Sequence, residues 1–343
     1  MRKLFSLTMV LLVLAGLVLS ACQPAAAPGP KKKIAVVLDT GGENDKSFNE
    51  YTLKGAKAAA DKLGYDLSYV VSQSSSDYEK NIETFATEKA DMIVTVGFLM
   101  GDATAAMAKK YPDIKFAIID VAYFPGDDGK DPYANDLKNV TSLMFAEDEV
   151  GYMAGVLAGC MTKSGTIATV SGMEIPPVVK FVVGYQNGAK SVKPDVKTLN
   201  IYIPDFNDPT TGKQAGQDFI SQGADVIFGV GGNTGNGGLL AAKEQGLMAI
   251  GVDVDQYNTY PEVKEALMTS AAKNMDVATQ AAVEAFAAGT LQPGIRLATA
   301  ANGGVGLAPY HDWDGKIPQD CKDKVKAAVD GLKSGSIKTG YTP

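Results

Sequence analysis

The stretch Asp39–Asn49 reads D-T-G-G-E-N-D-K-S-F-N and follows directly on the apolar run Ile34–Leu38. These residue types suit recognition rather than bond breaking. Asp39 and Asn49 can fix hydroxyl or amide groups of a ligand, Phe48 offers a flat face to a ring, and Gly41-Gly42 lets the backbone approach closely. No nucleophile with a neighbouring base is visible. With a single histidine, His311, and no clustered Cys/His, the sequence gives no sign of a zinc site. A cofactor motif is equally absent: Gly229-Val-Gly-Gly-Asn-Thr-Gly235 is not G-x-G-x-x-G followed by an acidic residue, and it lacks the lysine of a P-loop.

The elements that must position these residues follow from the hydrophobic pattern. Short apolar runs at Ile34–Leu38, Leu67–Val71, Met92–Val96, Phe116–Ile119, Thr166–Val170, Thr198–Ile203, Val226–Gly229 and Met248–Val252 read as strands. Between them, Ser47–Leu63, Asp77–Glu88, Gly101–Lys110, Asp148–Met161, Pro176–Val192, Thr210–Gln222 and Asn236–Gln245 carry helical spacing or helix-start signals. This alternation predicts an α/β protein with parallel sheets covered by helices on both faces, and it occurs twice, before and after about Phe145. A buried strand emptying into a polar loop places that loop at the carboxyl edge of its sheet, where open α/β folds bind ligands. Two such lobes, facing each other across a cleft, clamp a ligand by hinge closure. In the second half Pro204-Asp-Phe-Asn-Asp-Pro209 follows a strand much as Asp39–Asn49 does, and the 229–235 glycines open a helix. Each also has a plain structural reading: Asn207-Asp208-Pro209 is a helix-start signal, and glycines at a βα turn serve tight packing.

The amino terminus is a separate signal. Arg2 and Lys3 precede an apolar run from Val10 to Leu19, then Leu19-Ser20-Ala21-Cys22, which reads as a secretory leader over 1–21. The four residues resemble a bacterial lipobox, and that resemblance implies cleavage before Cys22 and lipid on Cys22. The run is too short for a membrane-spanning helix, which needs about 20 residues. A Pro/Ala/Gly tether over 22–32 then holds the domain just off a membrane surface. Removing Arg2 and Lys3 with the leader takes the net charge from −7 to −9, an acidic balance that disfavours nucleic acid and polyphosphate partners. Cys160 and Cys321 remain in a compartment that permits oxidation, and the sequence leaves a disulfide and two reduced thiols equally open.

Asp39-x-Gly41-Gly42-x-x-Asp45-x-Ser47-Phe48-Asn49, the Gly172-Met-Glu-Ile-Pro-Pro segment, Gly184-Tyr-Gln-Asn-Gly188 and Phe206-Asn-Asp-Pro together resemble the basic membrane protein family. These are the substrate-binding lipoproteins related to purine nucleoside receptor A that serve ABC transporters. The resemblance runs from about Lys33 into the C-terminal region. It implies a type I periplasmic-binding-protein fold that captures adenosine, guanosine or inosine outside the membrane and delivers it to a permease with its ATPase subunits. Carried over by position, Phe48 and Phe206 match aromatics that sandwich the purine, and Asn49 and Asp120 match groups that hydrogen-bond the base. Asp39, Asp253 and Lys273 match residues at the ribose, and Gly232 a backbone contact. The implied lobes are 33–145 with 256–300, and 146–255 with 301–343, with chain crossings near Phe145, Val254 and Ala301.

Rival readings are a sugar receptor of the same fold, a glycosidase or nucleoside hydrolase using paired carboxylates, and a surface adhesin or signalling receptor. Asparagine and aspartate close to one aromatic favour a ligand edge with donors and acceptors, hence a base. The lipid tether and the lack of closely spaced metal-binding aspartates argue against an enzyme.

Overall fold

The computed structural model describes residues 31–123 and 137–342, and the leader, Cys22 and nearly all of the tether lie outside the described residues. Twelve described strands form two six-stranded sheets. The first contains β1 (Lys33–Leu38), β2 (Asp66–Val71), β3 (Met92–Val96), β4 (Lys115–Ile119), β5 (Val140–Phe145) and β11 (Gly294–Ala298), in the order β11-β5-β4-β3-β1-β2. The second contains β6 (Thr166–Ser171), β7 (Lys197–Tyr202), β8 (Val226–Val230), β9 (Met248–Asp253), β10 (Leu267–Lys273) and β12 (Val305–Leu307), in the order β12-β10-β9-β8-β6-β7. Strand for strand the two orders match, so β4 in one sheet stands where β9 stands in the other.

All pairings are parallel except that of β12 on β10. The central strands explain why: β3, β6, β8 and β9 are buried along their whole length, as a sheet covered on both faces requires. The predicted α/β architecture of two doubly wound lobes is the observed one.

The helices are α1 (Phe48–Leu63), α2 (Tyr78–Thr87), α3 (Gly101–Lys110), α4 (Glu147–Met161), α5 (Pro176–Val192), α6 (Pro209–Ser221), α7 (Gly232–Glu244), the short α8 (Gln256–Thr259), α9 (Met275–Ala287) and α10 (Gln319–Ser334). Asp208 caps α6 by accepting from Thr211 N at 2.9 Å, with Pro209 in the first turn, as the sequence indicates. The glycine-rich segment differs from expectation. Helix α7 starts at Gly232, not Asn236, so Gly232 and Gly235 lie in its first turn. A Cβ at Gly237 would stand 2.2 Å from the carbonyl of Pro209, so glycine is what lets α6 and α7 pack closely.

Three crossings link the lobes, at 145–147, 273–275 and 298–305. In place of the expected crossing near Val254 the chain crosses at Asn274, because β10 pairs in parallel with β9 and keeps residues 256–273 in the second lobe. Only then does α9 return to pack on α1 in the first.

Cys160 at the end of α4 and Cys321 in the first turn of α10 form a disulfide with Cα atoms 5.8 Å apart. Asp320 approaches the same two sulfurs, and among the described residues this is the one convergence of metal-ligating types; the thiols are used by their own bond.

Candidate ligand-binding cleft

At the carboxyl ends of both sheets lies a cleft of about 580 Å³, its solvent-facing mouth included. All eight residues singled out from the sequence line it: Asp39, Phe48, Asn49 and Asp120 from the first lobe, Phe206, Gly232, Asp253 and Lys273 from the second.

The first wall is built on β1. Asp39 Oδ1 accepts from Gly41 N at 2.8 Å and from Asn49 Nδ2 at 2.7 Å, which folds the loop back over the start of α1. Asp45, quoted in the motif but not chosen as a site residue, is central to this fold-back. Its carboxylate accepts from the backbone N–H groups of Ser47, Asn49 and Glu50, filling the role of a helix cap that Ser47 itself does not perform. Asn49 is drawn into the same network. It donates to both Asp39 and Asp45 and accepts from Asp39 N at 3.2 Å, which commits both of its amide protons within the protein. The direct contact to a base expected of Asn49 is therefore restricted to one remaining lone pair of Oδ1, and its main work is to aim Asp39.

Phe48 opens α1 and its ring faces Gly97, where a Cβ would come within 3.5 Å of Phe48 and 3.0 Å of Asp39 Oδ2. Gly97 also holds φ at 114°, so the turn after β3 needs glycine for both reasons. Opposite, Phe206 follows β7 rather than β6, the true counterpart of β1. Its ring lies on bare backbone: a Cβ at Gly172 would be 2.4 Å from Phe206 Cδ1, and one at Gly231 3.2 Å away. The glycines of both second-lobe motifs thus make a seat for one aromatic. Ile175, Val178 and Phe181 add an apolar wall, and Phe98 and Leu99 stand on the other side. Nothing in their sequence patterns marked these residues as other than core.

The floor is charged. Asp120 directly follows β4 and Asp253 ends β9, equivalent strands in the two lobes, and both adopt left-handed backbone with φ of 67° and 65°. Lys273, only 2% exposed, donates to Asp120 Oδ2 at 2.6 Å and to Glu147 Oε1 at 3.4 Å, bridging the lobes. Glu147, fully buried at the start of α4, also meets Lys180 at 3.2 Å. Asp120 Oδ1 is buried with no hydrogen-bond partner among the described residues.

Burial pushes Asp253 up to about 7 against the pull of Lys273, with Asp120, Asp45 and Glu147 adding to the rise. Asp39 is pushed up to about 6 by burial, against the hydrogen bonds from Asn49 and Gly41. Glu147 is likewise raised by burial, Lys273 opposing. Desolvation draws the Lys273 ammonium down, but Asp120, Glu147 and Asp253 outweigh it and hold the group above its ordinary range. The cleft therefore offers two flat faces, hydrogen-bond acceptors and one buried cation, with no nucleophile poised beside a base.

A sequence profile described as "ABC transporter substrate-binding protein PnrA-like" matches residues 31–328. The chain belongs to this family of ABC transporter substrate-binding proteins. It is 34% identical over 331 residues to an uncharacterized lipoprotein of Pyrococcus furiosus, covering 92% of this chain and 79% of the relative. It is also 34% identical over 257 residues to a protein of Lactococcus lactis named ABC transporter nucleoside-binding protein BmpA, covering 70% of each. A crystal structure of ABC transporter solute-binding proteins from Aeropyrum pernix superimposes with a TM-score of 0.80 at 28% identity, covering 90% of this chain and 92% of that one. The family, the Lactococcus relative and the Aeropyrum structure are described as binding proteins. No described helix is long and apolar enough to cross a membrane.

Proposed function

We propose that this protein captures purine nucleosides outside the cytoplasmic membrane and hands them to an ABC permease, held beside it by lipid on Cys22. The observation that carries the reading is the convergence of Phe48 and Phe206, from opposite lobes, on a cleft floored by Asp39, Asp120, Asp253 and Lys273. The base lies between the two rings, where stacking is worth about 1–3 kcal/mol per base and tolerates adenine, guanine and hypoxanthine alike. Asp120 Oδ1, buried and unpartnered, accepts a donor on the base edge. Asp39 and Asp253 accept from the ribose hydroxyls, since charge-assisted hydrogen bonds are roughly twice as strong as neutral ones, and Lys273 donates to the sugar. The excess of buried carboxylates over ammonium groups disfavours a phosphate. The nucleoside-binding name of the Lactococcus relative and the lipoprotein name of the Pyrococcus relative support the ligand and the anchor respectively.

The test is mass spectrometry of whatever small molecule leaves the purified protein on denaturation, followed by calorimetry with adenosine, guanosine, inosine, their 5′-monophosphates and ribose. A purine nucleoside should be released, and the nucleosides should bind far more tightly than the monophosphates or ribose. Ribose binding as tightly as any nucleoside would point instead to a sugar receptor.

A further inference from the structure

Two second-lobe residues that do not line the cleft are tied across it, and a third stands behind them. Asn236, in α7, donates from Nδ2 to the backbone carbonyl of Asp45 at 3.1 Å, and Thr259, ending α8, donates from Oγ1 to the carbonyl of Lys46 at 2.7 Å. Behind them Gln256 donates from Nε2 to Asn236 Oδ1 at 2.8 Å. Gln256 is itself fixed, its Oε1 accepting from Val252 N at 2.9 Å and its own N–H bonding Ser270 Oγ at 3.1 Å. Gln256 is fully buried and Asn236 is 5% exposed, so the Asn236 amide has one orientation and its N–H group points at the other lobe. Both acceptors belong to the 45–46 turn, where Lys46 holds a left-handed φ of 64°. The Asp45 side chain, on the same residue, caps the helix that begins with Phe48.

We propose that Asn236 and Thr259 form a closure latch, gripping the Asp45 and Lys46 carbonyls to hold the two lobes together and so to set how long a ligand stays. The proposal rests on the reading of the cleft as the nucleoside site. Lobes that swing apart must break both bonds, and neither bond touches the ligand. A ligand that favours the closed state shifts the population toward it only by its differential affinity, so interactions present solely in that state add directly to retention. Each neutral hydrogen bond is worth a factor of about 2–12 in the closed-to-open ratio. Losing one should appear in the dissociation rate, since the open cleft that a ligand enters is unchanged.

Thr259→Val removes one hydroxyl at constant shape. Asn236→Asp keeps an oxygen for Gln256 but turns the donor facing the Asp45 carbonyl into an acceptor. In the full chain in detergent, spin labels at exposed Lys80→Cys and Lys190→Cys report the interlobe distance while stopped flow reports adenosine exchange. Adenosine should leave Thr259→Val about 2–12 times faster than wild type and leave Asn236→Asp faster still, with association within about twofold and a smaller closed population. Wild-type dissociation rates and distance distributions in both variants would overturn the latch. If wild type binds no adenosine, the nucleoside reading fails on its own; the latch is then judged on the ligand-free distances, and identical distributions in wild type and both variants overturn it.

Discussion

Replacing Lys273 by methionine tests the electrostatic core of the cleft, because the consequence depends on pH in a way that simple loss of packing does not. Methionine keeps the length and the apolar stem while removing the charge that faces Asp120 at 2.6 Å and Glu147 at 3.4 Å. At an effective dielectric constant of about 20 each attraction is worth about 5–6 kcal/mol gross, most of it offset by the cost of taking the charges out of water. What remains on deletion is the penalty of stranding carboxylates that are 5% and 0% exposed, about 3–5 kcal/mol for a broken buried pair. More of that falls on Asp120, whose Oδ1 is already unpartnered, than on Glu147, which retains Lys180.

Glu147 has an escape, which is to take a proton. Burial already raises its carboxyl and Lys273 pulls it down, so in the variant its folded-state pKa rises further above the unfolded value near 4, and that stability is fully present below about pH 4 and is lost as pH rises through the folded value. The destabilisation should therefore be about 3–5 kcal/mol at pH 8 and at least about 2 kcal/mol smaller at pH 5. Urea unfolding of ligand-free wild type and Lys273→Met at the two pH values measures this, and Glu147→Gln added to Lys273→Met should recover part of the loss at pH 8. A loss under about 1 kcal/mol at pH 8, or the same loss at both pH values, would refute the view that Lys273 neutralises this floor.

Phe48→Ala and Phe206→Ala should each weaken nucleoside binding by about 1–3 kcal/mol in calorimetry while the fold persists by circular dichroism, and unchanged affinity in both would remove the sandwich. Asp253 is raised by burial to about 7, so its contribution to ligand-free stability is present below about pH 4 and lost as pH rises through 7; Asp253→Asn should flatten the stability slope over that window, and a slope equal to wild type's would contradict it. The Cys160–Cys321 bond spans 161 residues of chain, and loop entropy gives it up to about 5 kcal/mol, so the Cys160→Ser, Cys321→Ser double variant should unfold at markedly lower denaturant; an unchanged midpoint would show it to be dispensable. Cys22→Ser should leave nucleoside affinity intact while releasing the protein from membranes on fractionation, and retention in the membrane fraction would exclude Cys22 as the anchor.

What the sequence made legible divides along a physical line. Strands such as Ile34–Leu38 and Met92–Val96 are buried on both faces, and continuous β-branched runs announce that directly. Strand β10, L-M-T-S-A-A-K, is also buried almost throughout, yet its small and polar residues carry neither alternation nor an apolar run. Missing it misplaced the crossing at Val254. The first lobe's β5, V-T-S-L-M-F, was missed for the same reason. In the site, Asp39 and Phe48 were readable because loop chemistry beside a strand end is local. Lys273, Asp120 and Asp253 were not, since a lone lysine or aspartate in sequence looks solvated until the fold brings it under cover; only the family resemblance picked them out. The amide of Asn49 was assigned to a ligand because nothing local shows that Asp45 and Asp39 already occupy it.

The matched strand orders also show where the two lobes stop being equivalent. Both contribute a carboxylate on left-handed backbone from equivalent strands, Asp120 and Asp253, and aspartate tolerates that conformation better than most residues. One strand further out the equivalence breaks. Strand β5 ends in Phe145 and β10 ends in Lys273, and the lysine ammonium sits 5.1 Å from the centre of the Phe145 ring. Each of these ends is also the start of a crossing, the first running from Phe145 to Glu147 and the second from Lys273 to Met275. The ion pair between Lys273 and Glu147 therefore joins two of the three connections, and the bond from Lys273 to Asp120 ties the same point to the cleft floor. A ligand that competes for Lys273 or Asp120 acts on the charges that fix how the lobes are connected. On the proposed reading of the cleft, binding and lobe geometry meet at one buried ammonium, and a duplicated scaffold with the same residue at both strand ends would offer no such junction.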